Sequence, residues 1–202
     1  PVIEEISKLG GQTHSHEWRA IWQHSLGTAI LTREILAIVD ISYGNETDYL
    51  VGLLHNIGHL VIANTFPDVF VALREAHSNH TGEIYIYERE LLAGWDHASI
   101  GAKFLQRHDV NEEIVNAAQF HTNPSQAGLY QTAAAAAQLA DYLLRSTGTH
   151  GFETACISQP QDWYALEGWP ILFGEDPEGY ALVASSLQYS LERMPGLLAD
   201  MI

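Results

Sequence analysis

The stretch GLLHNIGHL, residues 52–60, is the most informative in the chain because it places two histidines and an asparagine in an otherwise apolar run. Apolar residues that recur every three or four positions predict a helix, and His55 shares one such face with Ile62. Asn45 is a favourable first cap for this helix, and Pro67 is expected to end it. The sequence therefore predicts one continuous helix that carries all three polar side chains.

The chain before this stretch also has helical periodicity. Between residues 16 and 39, apolar side chains share a face through spacings of three, four and seven, and His24 lies on the same stripe. We expect this face to be buried. Its apolar members are Ile21, Leu31, Ile35 and Ile38.

Helical patterns continue to the C-terminus. The run YQTAAAAAQLADYLLRS, residues 130–146, has the highest helix propensity, and its five consecutive alanines permit close approach of neighbouring helices. IYIY at 84–87 is also compatible with a strand. Residues 158–179, rich in Pro, Gly and Trp, are expected to form a loop that its aromatic side chains attach to the core. The other predicted helices cover residues 68–76, 83–93, 97–108, 111–121 and the region from 177 onward.

Length and composition indicate one globular unit. The chain has 202 residues, of which 47% are hydrophobic and 17% charged, as in ordinary folded domains. Because no convincing pair of strands is present, we expect an all-α fold, a compact multi-helix bundle that forms a single domain over residues 1–202. The best-defined part spans 16–145, followed by the aromatic loop and C-terminal helices.

Charge and cysteine content narrow the function classes. The chain has 9 Lys and Arg against 25 Asp and Glu, a formal charge of -16, so its average field repels nucleic acids and anionic membranes. Its apolar stretches are shorter than the roughly 20 residues that span a bilayer. With one cysteine and no signal-peptide pattern at the N-terminus, a cytoplasmic location is expected.

Four histidines and one aspartate come from five different predicted helices. Histidine is the commonest metal ligand, and metal sites in helical proteins collect ligands from the facing sides of several helices. A single helical histidine is more often a hydrogen-bonded core or surface residue, but five such side chains together predict a shared site. The candidate metal ligands are His24, His55, His97, His121 and Asp141.

The pair His55 and His59 has the spacing of the two histidines in the zinc-protease motif His-Glu-x-x-His. Asn56 stands where that motif has its glutamate, and an amide cannot act as a titrating general base. We therefore do not expect a protease, and we interpret His59 as a polar residue that faces a loop. Asn56 and His59 are pocket candidates, but no catalytic residue is assigned.

Four motifs occur in order along the chain: WQHS at 22–25, YLVGLLHNIGHLVI at 49–62, ERELLAGWDHASIGAKFL at 88–105 and FHTNP at 120–124. Together they resemble the HDOD domain, a branch of the HD phosphohydrolase superfamily. The similarity covers residues 16–145, and the N-terminal helical half usual in that family is not recognised, which predicts a fragment of a larger protein or an atypical member.

The resemblance implies roles for individual residues. In HD enzymes the first metal is bound by a histidine of the first helix, a His-Asp doublet and a distant aspartate, which correspond to His24, His55 and Asp141. His97 and His121 correspond to two histidines that complete the second site in two-metal relatives.

Three positions depart from the family pattern. Asn56 replaces the aspartate of the doublet, Thr122 replaces a second adjacent histidine, and His59 stands where many HD enzymes carry a lysine. A neutral amide cannot bridge two cations as a carboxylate does, so the two-metal clamp on a phosphate is incomplete. We expect one divalent metal, Fe, Mn, Zn or Mg, or none.

Two functions follow from this interpretation. HDOD domains are typically joined to, or encoded beside, bacterial signalling components, so the first hypothesis is a regulatory signal-transduction module with a degenerate, non-catalytic metal site and signalling proteins as partners. The alternative is a metal-dependent phosphohydrolase that acts on a nucleotide or cyclic dinucleotide with one metal or an altered pair. We favour the first hypothesis because the missing groups carry the charge that hydrolysis needs. The sequence does not predict the oligomeric state.

Overall fold

The computed structural model describes residues 15–44, 46–79, 84–149, 151, 160–174 and 177–201. Within these ranges the chain is helical and contains no strand, which confirms the all-α prediction and places IYIY in a helix. No helix in this part of the chain is both long and apolar enough to cross a bilayer.

The helices of the described residues are named here in chain order. They are α1 (Ser15–Ile38), α2 (Thr47–Leu54), α3 (Ile57–Thr65), α4 (Pro67–Asn79), α5 (Ile84–Leu91), α6 (His97–Arg107), α7 (Glu112–Phe120), α8 (Gln131–Ser146), α9 (Gly168–Phe173) and α10 (Pro177–Met201), with 3-10 segments at Pro124–Tyr130 and Pro160–Ala165.

The single helix predicted between residues 45 and 67 is wrong, because the structure has two helices there. Asn56 interrupts the helical geometry with φ −103° and ψ 18°. Close backbone contacts flank the break: a Cβ on Gly52 would lie 2.6 Å from the Thr28 carbonyl oxygen of α1, and one on Gly58 would lie 1.8 Å from the His97 carbonyl oxygen of α6. Apolar periodicity in the sequence could not show that the two halves of this segment pack against different helices, α1 and α6. Asn45, the predicted cap, lies outside the described residues.

The alanine-rich helix α8 is the centre of the bundle. It packs against α1, α2, α7 and α9. Its five consecutive alanines, residues 133–137, are completely buried, as the prediction of close helix approach required. Because these alanines point in all directions around the helix, α8 is surrounded by protein over this turn, and Asp141 further along it is buried as well.

Two helix starts that position site residues have the predicted caps. The Asp96 side chain accepts a hydrogen bond from the Ser99 amide at 2.9 Å, and the Ser99 hydroxyl completes a capping box, so α6 begins at His97. The Asn111 side chain accepts from the Glu113 amide at 3.0 Å and starts α7, which ends next to His121.

The late loop was predicted too simply. Within residues 158–179 the structure places a 3-10 segment and α9, so this region is not a continuous loop. Trp163 and Trp169 are buried in the core formed by α1, α8 and α10. This confirms the prediction that aromatic side chains hold residues 158–179 against the core. These contacts give short helical turns a packing surface that propensity alone does not supply. Ile38, predicted to lie on the buried face of the first helix, is 38% exposed at the end of α1, so that part of the prediction was wrong.

Candidate metal centre

Three of the predicted ligands meet at the centre of the bundle. His24 on α1 places Nε2 2.8 Å from Oδ1 of Asp141 on α8. His55, directly after α2, places Nε2 3.5 Å from the same oxygen. One ligand atom from each of these side chains lies within 4.8 Å of the other two, a separation compatible with a shared metal ion.

The ring orientations are fixed from the side away from this meeting point. Nδ1 of His24 lies 3.1 Å from the Thr149 carbonyl oxygen, and Nδ1 of His55 lies 2.7 Å from the Gly52 carbonyl oxygen. A carbonyl oxygen only accepts hydrogen bonds, so each Nδ1 carries the proton. In the neutral rings Nε2 therefore presents a lone pair towards Asp141. This is the arrangement in which a metal-ligating histidine is held by an outer hydrogen bond.

Two buried polar atoms at the meeting point, His55 Nε2 and Asp141 Oδ1, have no directed hydrogen bond within the described residues. Asp141 Oδ1 lies near two imidazoles, but neutral rings with the proton on Nδ1 direct lone pairs at it, so these contacts join electron pairs rather than donors and acceptors. Leaving buried polar atoms in this state is costly, and a cation between them would satisfy both.

The charge of Asp141 is retained despite burial. Burial alone would raise the pKa of Asp141, but the Arg145 guanidinium holds that pKa well below its ordinary value. Arg145, one helical turn further along α8, pairs with Oδ2 and leaves Oδ1 directed at the histidines. Burial lowers the pKa of His55. A carboxylate and a neutral imidazole are the protonation states that bind metal.

The other two predicted ligands form an adjoining pair. His97 Nε2 lies 3.3 Å from His121 Nε2, and the His121 ring centroid is 5.2 Å from that of His55. His121 Nδ1 donates to the Ala118 carbonyl oxygen at 2.9 Å, so its Nε2 is also an acceptor. All five predicted side chains thus belong to one connected cluster, but only three of them converge on a single point.

His59 does not face a loop, and that interpretation was wrong. It is 1% exposed and lies 3.0 Å from Glu88 through Nε2. Its ring is stacked on that of His97 at a centroid distance of 4.1 Å. His59 is buried because the helix is interrupted at Asn56. After this break α3 packs against α6, and this contact places His59 in the protein interior.

Glu88 is the site residue that sequence reasoning missed. Its Oε2 accepts the His97 amide at 2.8 Å and lies 2.6 Å from His97 Nδ1. Burial lowers the pKa of His59 to about 4. Burial would also lower the pKa of His97, but the Glu88 carboxylate reverses this and raises it. The available signal was helical spacing, because Glu88 shares a stripe with Ile84 and Tyr87.

Comparison with known proteins assigns the family. The HDOD domain family matches residues 4–124, more than half of the chain. The chain belongs to the HDOD family. A protein of Treponema pallidum with no described function is 27% identical over 119 residues, which cover 55% of this chain and 22% of that protein. This HDOD chain thus spans about a fifth of that relative's length.

Solved structures show the same fold. An HDOD domain protein of unknown function from Geobacter sulfurreducens superposes with a TM-score of 0.74 at 20% identity, over 92% of this chain and 63% of that one. A candidate phosphohydrolase from Shewanella amazonensis gives 0.64 at 23% identity, over 89% and 64%. A candidate signal-transduction protein from Marinobacter aquaeolei gives 0.69 at 25% identity, over 89% and 38%. The chain therefore covers less than two thirds of each of these proteins.

Proposed function

We propose that this HDOD domain is a metal-binding signalling module that does not hydrolyse phosphate esters. The proposal rests on the convergence of His24 Nε2, His55 Nε2 and Asp141 Oδ1. Each imidazole is also held by a hydrogen bond from its Nδ1 to a backbone carbonyl oxygen. These residues come from α1, the end of α2 and α8. These residues would bind a divalent cation, which we propose is Fe, Mn, Zn or Mg. The bound cation would stabilise the packing of α1 and α2 against α8.

The non-catalytic part of the proposal rests on charge. A bound cation would supply a polarised water and an anchor for phosphate, and the two-metal relatives use a second cation joined to the first by a carboxylate. Asn56 is neutral and offers one weak oxygen donor, so it cannot bridge two cations. The positive charge of Arg145, beside the site, is already paired with Asp141.

Burial supports the same conclusion. His24, His55 and Asp141 are at most 4% exposed, and His121 beside them is 3% exposed. A phosphate ester must reach the metal for an open coordination position to be useful. Ligands this deeply buried are better suited to a cation that stabilises the fold. At a concentration 100 times its Kd, such a cation adds about 2.7 kcal/mol to the free energy of unfolding.

The signalling role would then arise from linkage between metal and helix arrangement. A partner protein that recognises the metal-bound arrangement would bind more tightly when the site is loaded, because a ligand of one state shifts the population towards it. Signalling proteins are the partners we propose, in keeping with the candidate signal-transduction protein whose fold this chain shares.

A phosphohydrolase remains the second function, and one observation favours it. The three protein ligands leave coordination positions free, which is typical of catalytic rather than purely structural metal sites. A nucleotide or cyclic dinucleotide would be the substrate, processed with one metal or an altered pair.

Metal analysis and activity assays on the same preparations separate the two functions. We expect protein purified without chelators to contain metal, to lose thermal stability on chelation, and to show no turnover of nucleotides or cyclic dinucleotides with added manganese or iron. His55→Ala should reduce the metal-dependent gain in stability, whereas the matched control His108→Ala, outside the cluster, should keep all of it. Turnover in the wild type that disappears in His55→Ala would replace the regulatory function with the hydrolase.

A further inference from the structure

A second group of side chains that can ligate a metal includes His97 and lies next to the first centre. It consists of His59 on α3, Glu88 on α5 and His97 at the start of α6. One ligand atom from each lies within 4.8 Å of the other two. None of the three side chains is more than 2% exposed. This group shares no residue with the His24, His55 and Asp141 centre.

The Glu88 carboxylate is held so that both oxygens serve this group. Oε2 accepts the backbone amide of His97 at 2.8 Å, a bond that does not depend on the protonation of any side chain. Oε1 points at His59 Nε2, 3.0 Å away. The carboxylate is thus anchored by a backbone donor, with Oε1 directed at His59 and Oε2 at His97 Nδ1, as outer contacts orient metal ligands elsewhere.

We propose that His59, Glu88 and His97 form a second, separate binding site for a divalent cation of the zinc class. Two imidazoles and one carboxylate are a ligand set that holds zinc in three-ligand protein sites. The buried negative charge of Glu88 supplies the charge that neutral ligands alone would lack. This proposal does not require the first centre to bind metal.

The contact between His97 and His121 is consistent with a cation at this second site. His121 Nε2 is an acceptor, because its Nδ1 donates to a carbonyl oxygen. If His97 gives the lone pair of Nδ1 to a cation, its proton resides on Nε2. That N–H then donates to His121 Nε2 across 3.3 Å. Each polar atom of the two rings has a partner in this state.

The competing explanation is a hydrogen-bonded network without metal, in which Glu88 pairs with a protonated His97. Substitutions that keep a polar side chain at the position but remove its metal ligand distinguish the two. His59→Lys gives Glu88 an ammonium partner that cannot bind metal at neutral pH. Glu88→Gln keeps the shape and removes the anionic ligand. His108→Lys is the matched control because His108 lies outside both groups.

The experiment is calorimetric titration of chelator-stripped protein with Zn²⁺, with bound metal counted by elemental analysis and folding checked by circular dichroism. We expect two Zn²⁺ per wild-type and control chain, and one per chain in His59→Lys, Glu88→Gln and Asp141→Asn. The Co²⁺-loaded wild type should show visible absorption from both sites, and His59→Lys should lose part of it.

Other outcomes separate this proposal from the proposed function. One Zn²⁺ per wild-type chain that survives His59→Lys and disappears in Asp141→Asn would overturn the second site and leave the first centre intact. One Zn²⁺ that survives Asp141→Asn and disappears in His59→Lys would uphold the second site and remove the basis of the proposed function. A wild type that binds no Zn²⁺ would overturn both.

Discussion

The contact between α3 and α6 holds His97 against both histidine groups, and Gly58→Ala should break it. A Cβ at Gly58 would lie 1.8 Å from the His97 carbonyl oxygen and 2.9 Å from the Gly101 amide nitrogen. Ordinary contact begins at 3.4 Å, so the carbonyl oxygen must retreat by about 1.6 Å. Both collisions are with backbone, which no rotamer change relieves.

This displacement should cost stability and metal binding together. Overpacking of this kind costs about 1–3 kcal/mol or more, partly offset by the better helix propensity of alanine. We expect Gly58→Ala to lower the free energy of unfolding by about 2 kcal/mol in urea denaturation. Gly44→Ala, where no atom lies within 4 Å of the new Cβ, is the control and should change it by less than about 0.5 kcal/mol. Equal stability of the two variants would refute the close approach of α3 and α6.

Below its ordinary pKa of 6.5, His59 takes up a proton in the unfolded chain but not in the folded one until about pH 4, so metal-free protein should lose about 3 kcal/mol through His59 between pH 7 and 4. Denaturation of His59→Gln across that range should lack this loss, and an unchanged slope would contradict the burial of His59. Asn56→Asp should raise metal affinity roughly tenfold or more by adding an anionic ligand, as calorimetry would show; unchanged affinity would place residue 56 away from the metal. Gly196→Ala, in α10 with open space around the new Cβ, should raise the free energy of unfolding by about 0.5–1 kcal/mol, and a loss of stability would argue against a helix there.

Much of the fold could be predicted from the sequence because apolar periodicity and capping residues indicate where helices form and begin. Asp96 and Asn111 start α6 and α7 as expected, and the alanine run of α8 is buried on all sides. The break at Asn56 could not be predicted, because both halves of the segment continue the same apolar pattern. What interrupts it is docking of glycines against two different helices, which is a tertiary effect.

The candidate site shows the same division. The side chains of His24, His55 and Asp141 converge because each lies on the inward face of its helix, and helical spacing reveals that face. His59 was misjudged because its environment depends on where α3 goes after the break. Glu88 was overlooked because a glutamate on a short helix is usually solvated, although it shares a helical stripe with Ile84 and Tyr87; its contacts with His97 show that it is buried.

We expect His24 on α1, His55 at the end of α2 and Asp141 on α8 to bind one shared cation. Anomalous diffraction from crystals grown with Zn²⁺, recorded on both sides of the zinc absorption edge, tests it most directly. We predict a peak within bonding distance of His24 Nε2, His55 Nε2 and Asp141 Oδ1. Zinc bound elsewhere with no peak among these three atoms, or two ions bridged at residue 56, would contradict the account.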